Sequence, residues 1–324
     1  MSPPRIRPPD WERLSRKAPA KAIDIAAVRN SLVRHTIASE KAHAIPILKT
    51  AGVDNPRLEV ELLLAHACDM ERVGVIAHPE RELSRSEHLK FRRMSARRSR
   101  LYPLAYLLKK QDFWGMELEV NPAVLIPRPE TETLVEAALE FLRSDPARRE
   151  FIVADVGTGS GAIAIALARE LPGARIIATD ISAAALRVAR RNAKRLGILG
   201  RGLRFLKGDK LIPALIHGLA GKLDAVCSNP PYVPSEELRH LQPEVAAYEP
   251  RIATDGGEDG LAFYEGLAEQ SLTALRHGGR LFVEVGVGQA KAVEDIFTKI
   301  GLSVLSIERD LQKIERVVIA ERKQ

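Results

Sequence analysis

The sequence predicts an α/β protein in two parts, a small helical bundle followed by a doubly wound, parallel-rich sheet. Three observations predict it. Short apolar runs alternate with helical stretches from about residue 128 to the C-terminus, the pattern of a sheet with crossover helices. From about residue 31 to 110 the apolar spacing is helical instead. Between residues 112 and 127 the period changes from 3.6 to 2, which suggests a β-hairpin joining the two parts.

The size and composition agree with this division. A chain of 324 residues corresponds to two domains at roughly 150 residues each, enough for real cores. Hydrophobic residues make up 45% and charged residues 28%, ordinary globular usage that excludes wholesale disorder and fibrous repeats. The strictly apolar stretches fall far short of the roughly 18 to 20 residues that a bilayer crossing needs. Lys and Arg number 49 against 42 Asp and Glu, a net charge of +7, which permits a nucleic-acid partner without demanding one. Cys68 and Cys227 are the only cysteines, so neither a disulfide framework nor a thiolate metal site is expected, and a reducing, cytoplasmic setting is. The eight histidines are scattered, and no structural metal is expected.

Along the chain, residues 1–30 carry Pro3, Pro4, Pro8, Pro9 and Pro19 with seven Lys/Arg against three Asp/Glu, a basic flexible arm. Asp10, Glu12 and Asp24 argue against an organelle transit peptide. In the helical part, Asn55-Pro56 reads as an N-cap with proline at the first helical position, followed by a face of Leu58, Leu62 and Ala65. Ser84 and Glu87 spell a capping box for a helix carrying Leu89, Phe91 and Met94. In the hairpin, Met116, Leu118 and Val120 alternate with Glu117 and Glu119 before Asn121-Pro122 turns into Val124-Leu125-Ile126. Strands are expected at 151–155, 175–180, 203–207, 223–228, 280–285, 304–307 and 317–320.

The first strand runs into Asp155-Val156-Gly157-Thr158-Gly159-Ser160-Gly161 and then an alanine-rich helix. Glycines there allow a tight turn and bring a ligand close to backbone N–H groups at a helix N-terminus. Gly157, Gly159 and Ala162 also satisfy the looser dinucleotide pattern, and Asp180 at the end of the second strand suits a ribose, so a nicotinamide cofactor and S-adenosylmethionine both stay open on these residues. Asn229-Pro230-Pro231-Tyr232, at the carboxyl end of the fourth strand, decides between them. Two prolines fix the backbone and remove two N–H donors, so carbonyl oxygens stand unopposed. Asn229 adds a side-chain carbonyl and Tyr232 a flat aromatic face. The set fits a planar NH₂ group whose nitrogen faces a donor methyl.

Asn-Pro-Pro-Tyr after Gly-Thr-Gly-Ser-Gly resembles the amino methyltransferases that use S-adenosylmethionine. Leu125-Ile126-Pro127-Arg128-Pro129-Glu130-Thr131-Glu132 resembles the signature of the HemK/PrmC family, which methylates the glutamine of the Gly-Gly-Gln motif in peptide chain release factors. Tyr248-Glu249-Pro250, Asp259-Gly260-Leu261, Glu284-Val285-Gly286 with Gln289, and Arg316-Val317-Val318 look like later segments of that family, and Asn55-Pro56-Arg57 with Glu61-Leu62-Leu63 resembles its helical domain. The resemblance implies a Rossmann-like methyltransferase domain at 128–324, a helical substrate-recognition domain at 31–111 and a hairpin linker at 112–127. It implies S-adenosylmethionine held by Gly157, Thr158, Gly159, Ser160 and Gly161, with Asp180 on the ribose, Asp209 near the adenine, Asp155 toward the methionine ammonium, and Asn229 beside the cofactor.

By the same resemblance Asn229, Pro230, Pro231 and Tyr232 hold the substrate glutamine, with Asn229, Pro230 and Tyr232 catalytic. The implied partner is a release factor, with no membrane, no obligatory nucleic acid and a monomeric state. A ribosomal-protein glutamine or an adenine N6 are the alternative acceptors. The chain departs from the family pattern at Lys210, where an aromatic is usual, in 101–110, which lacks an expected glycine, and at Arg251-Ile252. Eight Lys and Arg with no acid occupy residues 90–110, a solvated helix surface or a docking face for an acidic partner.

Overall fold

The computed structural model describes residues 35–144 and 150–323; the basic arm expected at 1–30 lies outside the described residues. The chain divides into two compact units at Ala96/Arg97.

The first unit is helical: α1 (Ile37–Thr50), α2 (Pro56–Ala67), α3 (Arg72–Ala77) and α4 (Arg85–Arg98). The α4 capping box forms as the sequence spells it, with Glu87 N donating to Ser84 Oγ at 3.3 Å and Ser84 N donating to Glu87 Oε2 at 2.7 Å. Asn55 precedes Pro56 as expected, yet its side chain makes no capping bond. The buried face of α2 is Val60, Leu63, Leu64 and Ala67, while Leu58 is exposed. That face is an i, i+3, i+4, i+7 apolar stripe, and beside it Glu61, 1% exposed, gathers Lys41 (2.7 Å), Arg72 (2.9 Å) and Arg57 (3.3 Å) around one carboxylate. In α4, Phe91 and Met94 are buried and Leu89 is exposed.

Among the described residues, His35, Glu40 and His88 bring ligand-type atoms within 4.8 Å of one another. Both Nδ1 atoms lie 3.0–3.1 Å from Glu40 Oε1. The rings stack 3.7 Å apart and only 20° from parallel, so their in-plane lone pairs cannot both point at one ion. Arg92, 3.7 Å from Glu40 Oε2, already supplies a cation.

The second unit opens with α5 (Leu104–Leu108) and a hairpin of β1 (Lys110–Phe113) and β2 (Met116–Glu119). The turn is Trp114-Gly115, both at positive φ (52° and 62°), as a two-residue type I′ turn requires. The sequence pattern finds the second strand but assigns it the wrong partner. Its mate is the polar 110–113, and Asn121-Pro122 leads into an irregular segment instead.

After α6 (Thr131–Arg143) come β3 (Ile152–Val156), α7 (Ala162–Glu170), β4 (Arg175–Asp180), α8 (Ala183–Arg195), β5 (Leu203–Lys207), α9 (Ile212–Ile216) and β6 (Leu223–Ser228). Then follow α10 (Pro243–Tyr248), α11 (Ala262–Ala274), β7 (Leu275–Glu284), α12 (Ala290–Ile300), β8 (Ser303–Arg309) and β9 (Glu315–Glu321). All seven expected strands join one sheet, ordered β5-β4-β3-β6-β7-β9-β8, parallel through β7 and antiparallel at β9 and β8.

One apolar cluster packs α6, α7 and α8 on one face of the sheet, with Leu134, Ile165, Leu186 and Phe282 among its members. A second packs α11 and α12 on the other, with Tyr264, Leu267, Val293 and Phe297. Strand order reverses between β3 and β6, so the carboxyl ends of these two strands open the crevice where such sheets bind ligands. No helix among the described residues is long and apolar enough to cross a membrane.

Glu61 is the test of the helical unit. Removing Glu61 deprives Lys41, 16% exposed, of its partner while Arg57 and Arg72 keep access to water, so Glu61→Ala is expected to lower unfolding free energy by about 1–3 kcal/mol. Arg57→Ala, at a position 77% exposed, should change it by roughly 0–1 kcal/mol. Urea melts followed by circular dichroism compare the two; equal small losses would show that the cluster contributes nothing.

Candidate active site

The turn from β3 into α7 is shaped by buried Asp155, half-buried Asp180 and its glycines. Gly161 stands at φ +86°, and a Cβ there would meet Ile165 Cδ1 at 2.9 Å and Ala189 Cβ at 3.1 Å, so only glycine lets the turn pack on α8. Gly157, at φ +74°, has open space where its Cβ would be. Gly157 N and Thr158 N both donate to Thr179 O at 2.9 Å, which ties the turn to β4. Asp180 accepts from Gly159 N at 2.9 Å and Ser182 N at 2.8 Å, one bond per oxygen, and burial pushes its carboxyl upward. Asp155 is fully buried, and its Oδ2 accepts from Thr158 Oγ1 (2.6 Å) and Ala164 N (3.0 Å). Its Oδ1 has no hydrogen-bond partner. Burial pushes Asp155 up to about 7.

Beside this turn, β6 ends in Ser228, whose hydroxyl donates to Val156 O at 2.8 Å and locks the two strand ends together. Asn229 follows. Its Nδ2 donates to Thr131 Oγ1 at 2.9 Å, Thr131 Oγ1 donates to Glu284 Oε2 at 2.6 Å, and Asn229 Oδ1 is buried without a partner. The far end of the Asn-Pro-Pro-Tyr turn is clamped by Gln289, which donates to Tyr232 O at 2.8 Å and accepts from Gly286 N at 2.9 Å. The Tyr232 ring is half-buried against the second apolar cluster, and burial with the nearby Glu284 charge pushes its hydroxyl up to about 12.

The two turns line one cleft, with residues 123–125 and 127 on its far side. Residues 42–108 match the PrmC N-terminal domain family and residues 137–258 the methyltransferase small domain family. A release factor glutamine methyltransferase of Moorella thermoacetica is 46% identical, over 82% of this chain and 91% of that protein. One of Caulobacter vibrioides is 38% identical, over 84% and 91%. The chain belongs to the release factor glutamine methyltransferase family. A solved structure of the hMettl16 catalytic domain in complex with MAT2A 3′UTR hairpin 6 has TM-score 0.52 at 16% identity, covering 71% of this chain and 82% of that one, a likeness of fold.

The segments that resemble the family build the cleft's far wall. Glu249 accepts from Ile126 N (3.1 Å) and Arg128 Nη2 (2.6 Å), and the Tyr106 hydroxyl donates to Val124 O (2.6 Å), so residues 124–128 are pinned over the cavity. Buried Asn192 on α8 bonds both Glu119 and Ser160, tying the hairpin to the glycine turn.

Of the sequence-predicted residues, Gly157, Thr158, Gly159, Ser160, Asp180, Asp209, Asn229 and Pro231 line the cleft. Asp155, Gly161, Pro230 and Tyr232 stand behind its surface. Asp209 is half-exposed, with Lys210 Nζ 3.3 Å away, and that ammonium sits 4.8 Å over the ring of Phe263. Phe263 lines the cleft and was not anticipated from sequence, nor were the roles of Thr131, Glu284, Ile181 and Ile252. Glu284 and Thr131 sat inside recognised segments, but nothing local marked their side chains as facing each other.

Asp155 makes a stability prediction with a definite sign. Its folded pKa is raised above the unfolded value, so the folded form binds the proton more tightly and ionisation subtracts stability as pH rises through about 7. Asp155→Asn is therefore expected to gain on the wild-type protein in urea-unfolding free energy as pH is raised from about 5 to about 8. A difference between the two that stays constant over this range would show that Asp155 titrates at its ordinary value.

Proposed function

We propose that this protein transfers a methyl group from S-adenosylmethionine to the side-chain amide nitrogen of the glutamine in the Gly-Gly-Gln motif of peptide chain release factors. Asn229 carries the reading. One end of its carboxamide is tied to Thr131, and the other is a buried acceptor with no partner, on the wall shared with the glycine turn. A planar NH₂ group is the complement such an acceptor lacks.

When bound, S-adenosylmethionine supplies a methyl carbon made electrophilic by its positively charged sulfur. The residues present suit that group. Gly157 leaves backbone open to close approach, Asp155 Oδ1 is a buried acceptor without a donor, and each Asp180 oxygen accepts one N–H and keeps a lone pair for a ribose hydroxyl. Thr158, Ser160 and Asp209 complete the proposed cofactor seat.

An amide nitrogen is a weak nucleophile because its lone pair is delocalised, and no histidine among the described residues lines the cleft. Orientation is therefore the chain's main contribution. Asn229 Oδ1 accepts an amide hydrogen, Pro231 walls the acceptor, and Pro230 and Tyr232 hold the turn from behind the lining, Tyr232 through Gln289. The N–C bond forms as the C–S bond breaks, and the nitrogen releases its proton to solvent.

Within this reading, residues 31–111 serve substrate recognition, 112–127 the linker and 128–324 catalysis. The protein acts as a monomer in the cytoplasm and without obligatory nucleic acid; both cysteines are buried and unpaired, as a reducing setting allows.

Peptide mass spectrometry of a release factor incubated with the protein and S-adenosylmethionine should show one added methyl on the Gly-Gly-Gln glutamine. Asn229→Ala should lower turnover by roughly 10²-fold with cofactor affinity near that of wild type. Methylation of ribosomal protein or DNA with the release factor left untouched would overturn the substrate; full turnover by Asn229→Ala would overturn the residue's role.

A further inference from the structure

A carboxamide can be built into a site either way round, and only one way leaves an oxygen to accept a substrate N–H. Two residues outside the Asn-Pro-Pro-Tyr turn decide it here. Thr131 is 4% exposed and Glu284 1% exposed. The Thr131 hydroxyl has a single proton, donated to Glu284 Oε2 at 2.6 Å. What remains on that oxygen is lone pairs, so at 2.9 Å it can face the Nδ2 of Asn229 and not its carbonyl. The direction of the whole chain follows from an acceptor-only group at its inner end.

We propose that Thr131 and Glu284 are positioning residues for methyl transfer: the Glu284 carboxylate sets the direction of the Thr131 hydroxyl, which holds Asn229 with its carboxamide oxygen free for the acceptor amide. This rests on the reading of Asn229 as a ligand of the substrate amide. Around Glu284, Arg316 on β9 and Arg128 before α6 favour its charge, while burial and Glu130 oppose it. Tyr232 lies close enough to be coupled to it electrostatically, and Tyr264 on α11 donates to its backbone carbonyl at 3.1 Å. The outcome is a carboxyl pushed up to about 7 by burial. Once protonated, Glu284 can donate to Thr131 and no longer enforces the direction. Turnover should therefore rise with pH through about 7.

The test measures methyl transfer to a release factor at saturating S-adenosylmethionine, from about pH 6 to about pH 8.5, for Thr131→Val, Thr131→Ser, Glu284→Gln and Asn229→Ala. Calorimetric cofactor affinity is measured alongside. Saturation keeps titration of Asp155, on the cofactor side, out of kcat. Thr131→Val and Glu284→Gln should lose roughly 10- to 100-fold in kcat with cofactor affinity unchanged. Thr131→Ser, which keeps the hydroxyl, should retain wild-type turnover, and Glu284→Gln should lose the rise in kcat near pH 7. Wild-type kcat in Thr131→Val or Glu284→Gln beside an impaired Asn229→Ala overturns the positioning role and leaves the Asn229 reading standing. Wild-type kcat in Asn229→Ala overturns both. Should Thr131→Val fail to fold, Glu284→Gln decides: wild-type kcat in that variant beside an impaired Asn229→Ala overturns the proposal.

Discussion

Three carboxyl groups stripped of most of their water stand at the carboxyl edge of the sheet, and the architecture of the cleft follows from keeping them partnered. Asp155 is the penultimate residue of β3, Asp180 ends β4 and Glu284 ends β7. A buried carboxylate is tolerable only where donors replace water. The donors come from the turns that form the site: Thr158, Ala164, Gly159 and Ser182 for the first two, Thr131 for the third. Each turn is thereby fixed by the acid beneath it. The acceptors left over, Asp155 Oδ1 and Asn229 Oδ1, are places where burial has been accepted without compensation from the protein. Five further such atoms occur among the described residues, Thr179 Oγ1 on β4 included, so it is the placing of these two beside one cleft that fits a site completed by ligands.

The opposite wall is held by the same device. Residues 124–128 have no regular structure, and an irregular segment over a cavity would leave polar backbone unpaired. Glu249 answers this with both oxygens, one on the Ile126 amide and one on Arg128, while Tyr106 takes the Val124 carbonyl. The Tyr248-Glu249-Pro250 and Arg128-containing segments are thus two halves of one contact, although 121 residues separate Arg128 from Glu249.

What the sequence discloses and what it hides divides along distance in the chain. The seven strands and the glycine turn rest on local periods and local φ preferences, and they were readable. So was the Ser84–Glu87 box, whose partners are one helical turn apart. The hairpin was half-readable: β2 alternates, but β1 is Lys-Gln-Asp-Phe with one buried residue, so no apolar pattern advertised it. Leu58 misled because α2 carries overlapping apolar stripes, and the one through Val60, Leu63, Leu64 and Ala67 packs inward. Thr131 and Glu284 were hidden for a plainer reason, being 153 residues apart and of types common on any surface.

In the proposed reading, a grip on a planar NH₂ group has by itself little power to choose its substrate, since a glutamine carboxamide and the exocyclic amine of adenine present the same two hydrogens. A free carboxamide oxygen and a rigid turn match either. Discrimination must come from contacts that reach beyond the reacting nitrogen. In this chain the candidates lie at the cleft lining, where exposed Ile252 and half-buried Pro250 stand. A protein acceptor has a fold that can meet such surfaces, whereas a flipped base brings phosphates that would seek cations at the rim itself. Lys210 is a rim cation, and it is already engaged with Asp209 and Phe263. That arrangement engages its charge beside a lining that also includes Pro250, Ile252 and Ala253.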